Sequence, residues 1–184
     1  WGLVVTLGLL AAVLVGNTLR QGSRQLSVPA LTPLALDADR VAESLAMALR
    51  ARTQSGLLDP AGTAAEFDAL HAHLKSRYPL LHATLGREVV GGHSLLYTWR
   101  GSDDKAKPMS LLAHLDVVPV APGTEGLWKV PPFEGRIDGG HVWGRGALDN
   151  KSNVIAQFEA VETLIEAGFE PRRTVYLVLG HDEE

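Results

Sequence analysis

Two apolar runs of strand length, Met109 to Leu115 and Thr174 to Gly180, flank one long amphipathic helical pattern, and this order limits the fold more than any other feature of the chain. The helix, about Ser152 to Ala167, sets Val154, Ile155, Phe158, Val161, Leu164 and Ile165 on one face, and Gly168 stands where a C-terminal cap is expected. Strand, helix and strand in that order predict parallel strands joined by a right-handed crossover. Uninterrupted apolar runs fit strands covered on both faces. The C-terminal ends of parallel strands lie on one side of the sheet, and ligands of open α/β sheets bind beyond those ends.

Polar clusters fall at that rim. His114-Leu115-Asp116 closes the first run, His181-Asp182-Glu183-Glu184 follows the second, and Asp149-Asn150-Lys151 precedes the helix. Each has an ordinary reading: a chance His-x-Asp, an aspartate near a helix N-terminus, a solvated charge run, and in Lys151 an exposed helix-start residue. Their joint placement argues for more. With 0 cysteines in the chain, any metal must be held by imidazole and carboxylate. His114 supplies the nitrogen, and Asp116, two residues on, can accept the other ring N–H and fix its tautomer. Asp149 has two oxygens and could bridge two ions. Glu183 and Glu184 can divide the work, one binding metal and the other taking a proton from water.

The remaining histidines fit structural roles better. His71 and His73 lie on different faces of one predicted helix, His82, His93 and His141 lie in or near strands and loops, and His181 and Asp182 flank the carboxylates. Asp138-Gly139-Gly140-His141 reads as a hairpin turn.

Upstream, Val41, Leu45 and Leu49 predict a helix to about Arg52, capped by Asp37 or Asp39. A second helix, Ala64 to Arg77, turns Phe67, Leu70 and Leu74 inward and stops before Pro79. Leu81 to Val90 and Ser94 to Trp99, divided by Gly91 and Gly92, predict paired strands and so a mixed α/β domain. Residues 37–184 form the expected globular part and 20–36, with Pro29 and Pro33, a linker. Residues 1–19 are an apolar segment whose uncharged stretch Trp1 to Gly16 would span ~24 Å as a helix, against ~30 Å of hydrocarbon. An anchor is favoured over a cleaved signal, since Val15 to Gln25 carries no A-x-A pattern.

The net charge of -4 gives no basis for binding nucleic acid. Gly139-Gly140 and Gly144-Arg145-Gly146 match neither phosphate-binding pattern, and there is no G-x-S-x-G elbow.

The stretches LLAHLDVVP, WKVPPFEGRIDGGHVWGRGALDNK and LVLGHDEE, in this order, resemble the dizinc metallopeptidases that include carboxypeptidase S, aminoacylases and N-acyl-amino-acid hydrolases. The ending Gly180 to Glu184 looks most like the carboxypeptidase S branch. The resemblance implies part of a zinc-peptidase catalytic domain, a three-layer α/β sandwich with a mixed, largely parallel sheet, here preceded by a transmembrane anchor. It implies two Zn2+ ions, with His114, Asp149 and Glu184 as ligands, Asp149 bridging, Glu183 as general base and Asp116 orienting His114. The expected substrates are short peptides or N-acyl amino acids, and a homodimer through a further domain is possible. Asn150 departs from the Asp that many members carry. The family needs a further acidic ligand and a His downstream of Glu184, so a fragment ending there is expected to bind metal weakly and turn over little. The globular part is expected outside the cytoplasm, membrane-anchored or alternatively secreted. A competing reading is a non-catalytic, membrane-tethered binding protein of the same fold.

Overall fold

The computed structural model describes residues 1–30, 35–55 and 60–184, in two units, Trp1–Ala35 and Leu36–Glu184. The expected linker falls partly on residues 31–34, outside the described residues.

The first unit holds helix α1, Gly2–Arg20, which is 19 residues long. It continues past Gly16 through Asn17, Thr18 and Leu19, and so reaches about 28 Å, close to the hydrocarbon thickness that the uncharged stretch alone falls short of. The Thr6 and Thr18 hydroxyls donate to the carbonyls of Gly2 and Leu14, at 3.0 and 2.9 Å, so both polar groups are satisfied within the helix. Leu3, Leu7, Leu10 and Leu14 are exposed.

In the second unit, α2 (Ala38–Arg50) begins where Asp37 accepts the Arg40 N–H at 3.1 Å. Helix α3 (Pro60–Arg77) starts about a turn earlier than apolar spacing predicts, at a proline, which suits a first helical turn and adds nothing to an apolar pattern. Pro79 both ends α3 and opens a short helix α4 (Pro79–Thr84), so the strand predicted over Leu81 to Val90 is helix first and strand β1 (Gly86–Val90) only afterwards. Buried Glu162 explains the switch: its carboxylate accepts the Leu80 and Leu81 N–H groups at 3.0 and 2.7 Å, pinning the start of α4.

Strand β1 forms an antiparallel hairpin with β2 (Ser94–Trp99). Strand β3 (Met109–His114), hairpin strands β4 (Arg136–Asp138) and β5 (His141–Trp143), helix α5 (Lys151–Glu166) and strand β6 (Val175–Gly180) follow. Gly139 and Gly140 form the predicted turn, with φ of 58° and 77°, the sign a two-residue hairpin needs.

The sheet order is β1-β2-β6-β3. As predicted, β3 and β6 are parallel, with His114 level with Gly180. The sheet is not largely parallel, however, because β2 runs antiparallel to both β1 and β6. The crossover through α5 dictates one parallel pair, and the hairpin adds two antiparallel ones. Nor do the described residues make three layers. Leu95, Tyr97, Leu177 and Leu179 are buried with Phe67, Leu70, Leu81, Ile155 and Phe158 on the helical side, while Leu112 and Val178 stand 70% and 38% exposed. Both strands therefore have one covered face, not two. On the covered face the Tyr78 hydroxyl donates to buried Glu159 at 3.0 Å and shares a 2.6 Å hydrogen bond with Ser44, tying α2 to α5.

Candidate metal centre

The β3–β6 register brings His114 and the residues after Gly180 to the same end of the sheet, and the loop before α5 arrives there too. Asp149 lies on that loop. Its Oδ1 is 3.0 Å from Nε2 of His114, and Glu183 Oε2 is 3.7 Å from the same nitrogen. On the other side of the ring, Nδ1 donates toward Asp116, with Oδ1 at 3.2 Å and the Asp116 carbonyl at 3.1 Å. His114 and Asp116 are buried, whereas Asp149 and Glu183 are open to solvent.

One imidazole nitrogen and two carboxylates, from His114, Asp149 and Glu184, lie within 4.8 Å of one another. Glu183 lies outside that triad. The donor set suits zinc, which accepts His nitrogen and carboxylate oxygen. The charge balance points the same way: among the described residues no Lys or Arg forms an ion pair with Asp116, Asp149, Glu183 or Glu184. Burial pulls the His114 pKa down, but the hydrogen bond to Asp149 and the charges of Asp116 and Glu183 outweigh it and hold the imidazole above its ordinary value. Four carboxylates around one imidazole are a site with an excess of negative charge that a cation would offset.

Asp149 does not cap α5. Asn150 occupies the N-cap without a side-chain bond, and Asp149 faces His114 instead. Lys151 corrects a sequence expectation outright, since it is 1% exposed and its ammonium donates to the carbonyls of Ala48 and Ala51 at 3.0 and 2.6 Å. Burial pushes its pKa down to about 7, against the pull of Glu66 and Asp116. No apolar spacing marks that lysine, because its partners are carbonyls about 100 residues away in the chain.

The other histidines are engaged elsewhere, His93 by stacking on Phe67 with ring centroids 4.9 Å apart. His71 and His73 meet the carbonyls of His93 and Ser44, His141 meets that of Gly139, and His181 shares a 2.6 Å bond with the Ser94 hydroxyl. His82 lies on α4, not on a strand, between the Tyr78 carbonyl and the Tyr97 hydroxyl.

Residues 110–184 match the sequence profile of Peptidase family M20/M25/M40. The chain is 37% identical over 180 residues to "Probable carboxypeptidase S-like 2" of Dictyostelium discoideum, covering 94% of this chain and 34% of that protein. It is 48% identical over 97 residues to "N-fatty-acyl-amino acid synthase/hydrolase PM20D1" of Xenopus tropicalis, covering 53% of this chain and 18% of that protein. Among solved structures it is similar to an M20 family metallo-carboxypeptidase, Sso-CP2, from Sulfolobus solfataricus, with a TM-score of 0.61 and 24% identity over 78% of this chain and 31% of that one. That likeness shows a shared fold. The chain thus spans about one third of the length of the Dictyostelium protein and less of the Xenopus one.

Proposed function

Starting from residues 110–184, which belong to Peptidase family M20/M25/M40, we propose that the protein is a zinc-dependent hydrolase of amide bonds in short peptides or N-acyl amino acids. The observation that carries this reading is the convergence of His114, Asp149 and Glu184 within 4.8 Å at the strand ends. These three residues would hold the metal, with Asp149 shared if two ions bind, and a bound zinc would polarise an amide carbonyl and acidify a water molecule. Relatives named for carboxypeptidase and N-acyl-amino-acid chemistry support the substrate class.

The chain's own groups supply the rest. Asp116 engages Nδ1 of His114 and so turns Nε2 toward the carboxylates. Glu183 is the general base. Its carboxylate approaches the His114 ring yet stands outside the triad and remains 64% exposed, so it can take a proton from water and return it to the leaving amine. Glu184, inside the triad, is committed to the metal. Helix α1 is long and apolar enough to cross a membrane, which supports an anchor; a hydrolase part outside the cytoplasm rests on the resemblance to the carboxypeptidase S branch, not on the helix.

The test is hydrolysis of dipeptides and N-acyl amino acids by the full-length protein, before and after chelation. Activity that chelation abolishes and zinc restores supports the proposal. Hydrolysis indifferent to chelator overturns the metal's role, and zinc binding with neither substrate class cleaved overturns the amide hydrolase.

A further inference from the structure

Residues 51–55, just after α2, touch all three chain segments that converge on the centre. The carbonyl of Ala51 accepts the Lys151 ammonium at 2.6 Å, two residues from Asp149. Thr53 is fully buried and holds both sides of Asp116: its hydroxyl donates to the Leu115 carbonyl at 2.7 Å, and its carbonyl accepts the Val117 N–H at 2.9 Å. Gln54 adds a parallel bridge to Val117, and the Ser55 hydroxyl reaches the Glu184 carbonyl at 3.4 Å. The segment is itself fixed from behind, where the Arg52 N–H donates to Glu66 at 2.8 Å.

Lys151 is the least expected part. A cation at the start of α5 works against that helix's dipole, and nothing in α5 calls for it. Its ammonium instead meets the C-terminal carbonyls of α2, the end that favours a cation. Its backbone N–H closes onto the Gly146 carbonyl at 3.0 Å, so residues 146–151 form a closed loop that carries Asp149. Gly146, at φ +86°, makes room: a Cβ there would lie 2.8 Å from Val117 Cγ1 and 3.3 Å from Lys151 Cδ.

We propose that residues 51–55 are a strut setting the spacing of the three ligand-bearing segments, with Thr53 and Lys151 as positioning residues that never touch the metal themselves. This rests on reading His114, Asp149 and Glu184 as ligands. Exposed carboxylates on separate loops need such a frame, because a metal site is only as tight as the preorganisation of its donors.

The test compares Thr53→Val and Lys151→Met in the full-length protein with Val175→Ala, a buried change at the end of β6 opposite Gly180 and used as a stability control. Zinc affinity is measured by chelator competition, and hydrogen exchange is followed at the amides of Val117 and Glu184. Both strut variants are expected to lose about 10–100-fold in zinc affinity and to exchange faster at Glu184, whereas the control does neither at equal loss of melting temperature. Zinc affinity within about twofold of wild type in both strut variants, or an equal loss in the control, overturns the proposal. If wild type binds no zinc, the ligand reading fails, and the strut is judged by exchange alone: an unchanged Glu184 amide in Thr53→Val overturns it, and a faster one supports it. Should Lys151→Met not fold, the near-isosteric Thr53→Val decides.

Discussion

Asp116 accepts the Glu184 backbone N–H through Oδ2 at 3.1 Å, so the residue that orients His114 also fixes the chain at the carboxylate pair after β6. One buried carboxylate thereby couples the ends of two parallel strands. Asp116→Asn leaves only one acceptor oxygen for two donors, and its new NH2 must face either the His114 Nδ1–H or the Glu184 N–H. The expected result is a zinc affinity lower by about 10–100-fold in a protein that still folds, checked by chelator competition beside far-UV circular dichroism.

Gly146→Ala combines a left-handed backbone with a Cβ 2.8 Å from Val117 Cγ1. It should destabilise the protein by roughly 1–3 kcal/mol in urea unfolding and weaken zinc binding as the Asp149 loop shifts. Ala147→Gly, next door, should leave zinc binding unchanged.

The rim of the site was legible because each cluster follows an apolar run whose ends the crossover aligns. His114, Asp149 and Glu184 come from three distant stretches, and parallel strand order alone brings them to one side. The residues by themselves left open which of Glu183 and Glu184 binds metal; the division of roles between them is what the resemblance implies. The β1–β2 hairpin was legible from Gly91 and Gly92, but its place beside β6 was not, because β2 joins β6 through backbone pairing that side-chain pattern does not encode. Lys151 and Thr53 escaped for a related reason: both act on backbone carbonyls far away in the chain, where partner identity leaves no trace. The short helix α4 was hidden by Leu80, Leu81 and Leu85, apolar residues that fit a strand equally well until the buried Glu162 carboxylate claims two of their amides.

His82 sets a pH dependence. Its Nδ1–H donates to the Tyr78 carbonyl at 2.8 Å, leaving Nε2 to accept the Tyr97 hydroxyl at 2.9 Å, a pattern only the neutral ring can make. Burial lowers its pKa below the ordinary 6.5, with the hydrogen bond to Tyr78 pulling the other way. A folded value below the unfolded one means that the contribution is present above pH 6.5 and is lost as pH falls through the lower folded value. His82→Leu should therefore cost about 1 kcal/mol at pH 7.5, and the gap to wild type in urea midpoints should narrow at pH 5.5.

Removal of residues 1–20 tests the reading of α1. The full-length protein should stay with membranes through alkaline carbonate extraction, and the deleted form should appear in the supernatant with its zinc affinity intact. Release of the undeleted protein by carbonate would count against an anchor.

The most direct measurement is zinc content together with amide hydrolysis for full-length wild type and Glu183→Gln. The variant is expected to keep its zinc and lose about 10²–10⁴-fold in kcat, because a positioned general base contributes on that order. A variant that hydrolyses at the wild-type rate would overturn Glu183 as the base, and a wild type that binds no zinc at His114, Asp149 and Glu184 would overturn the metal centre.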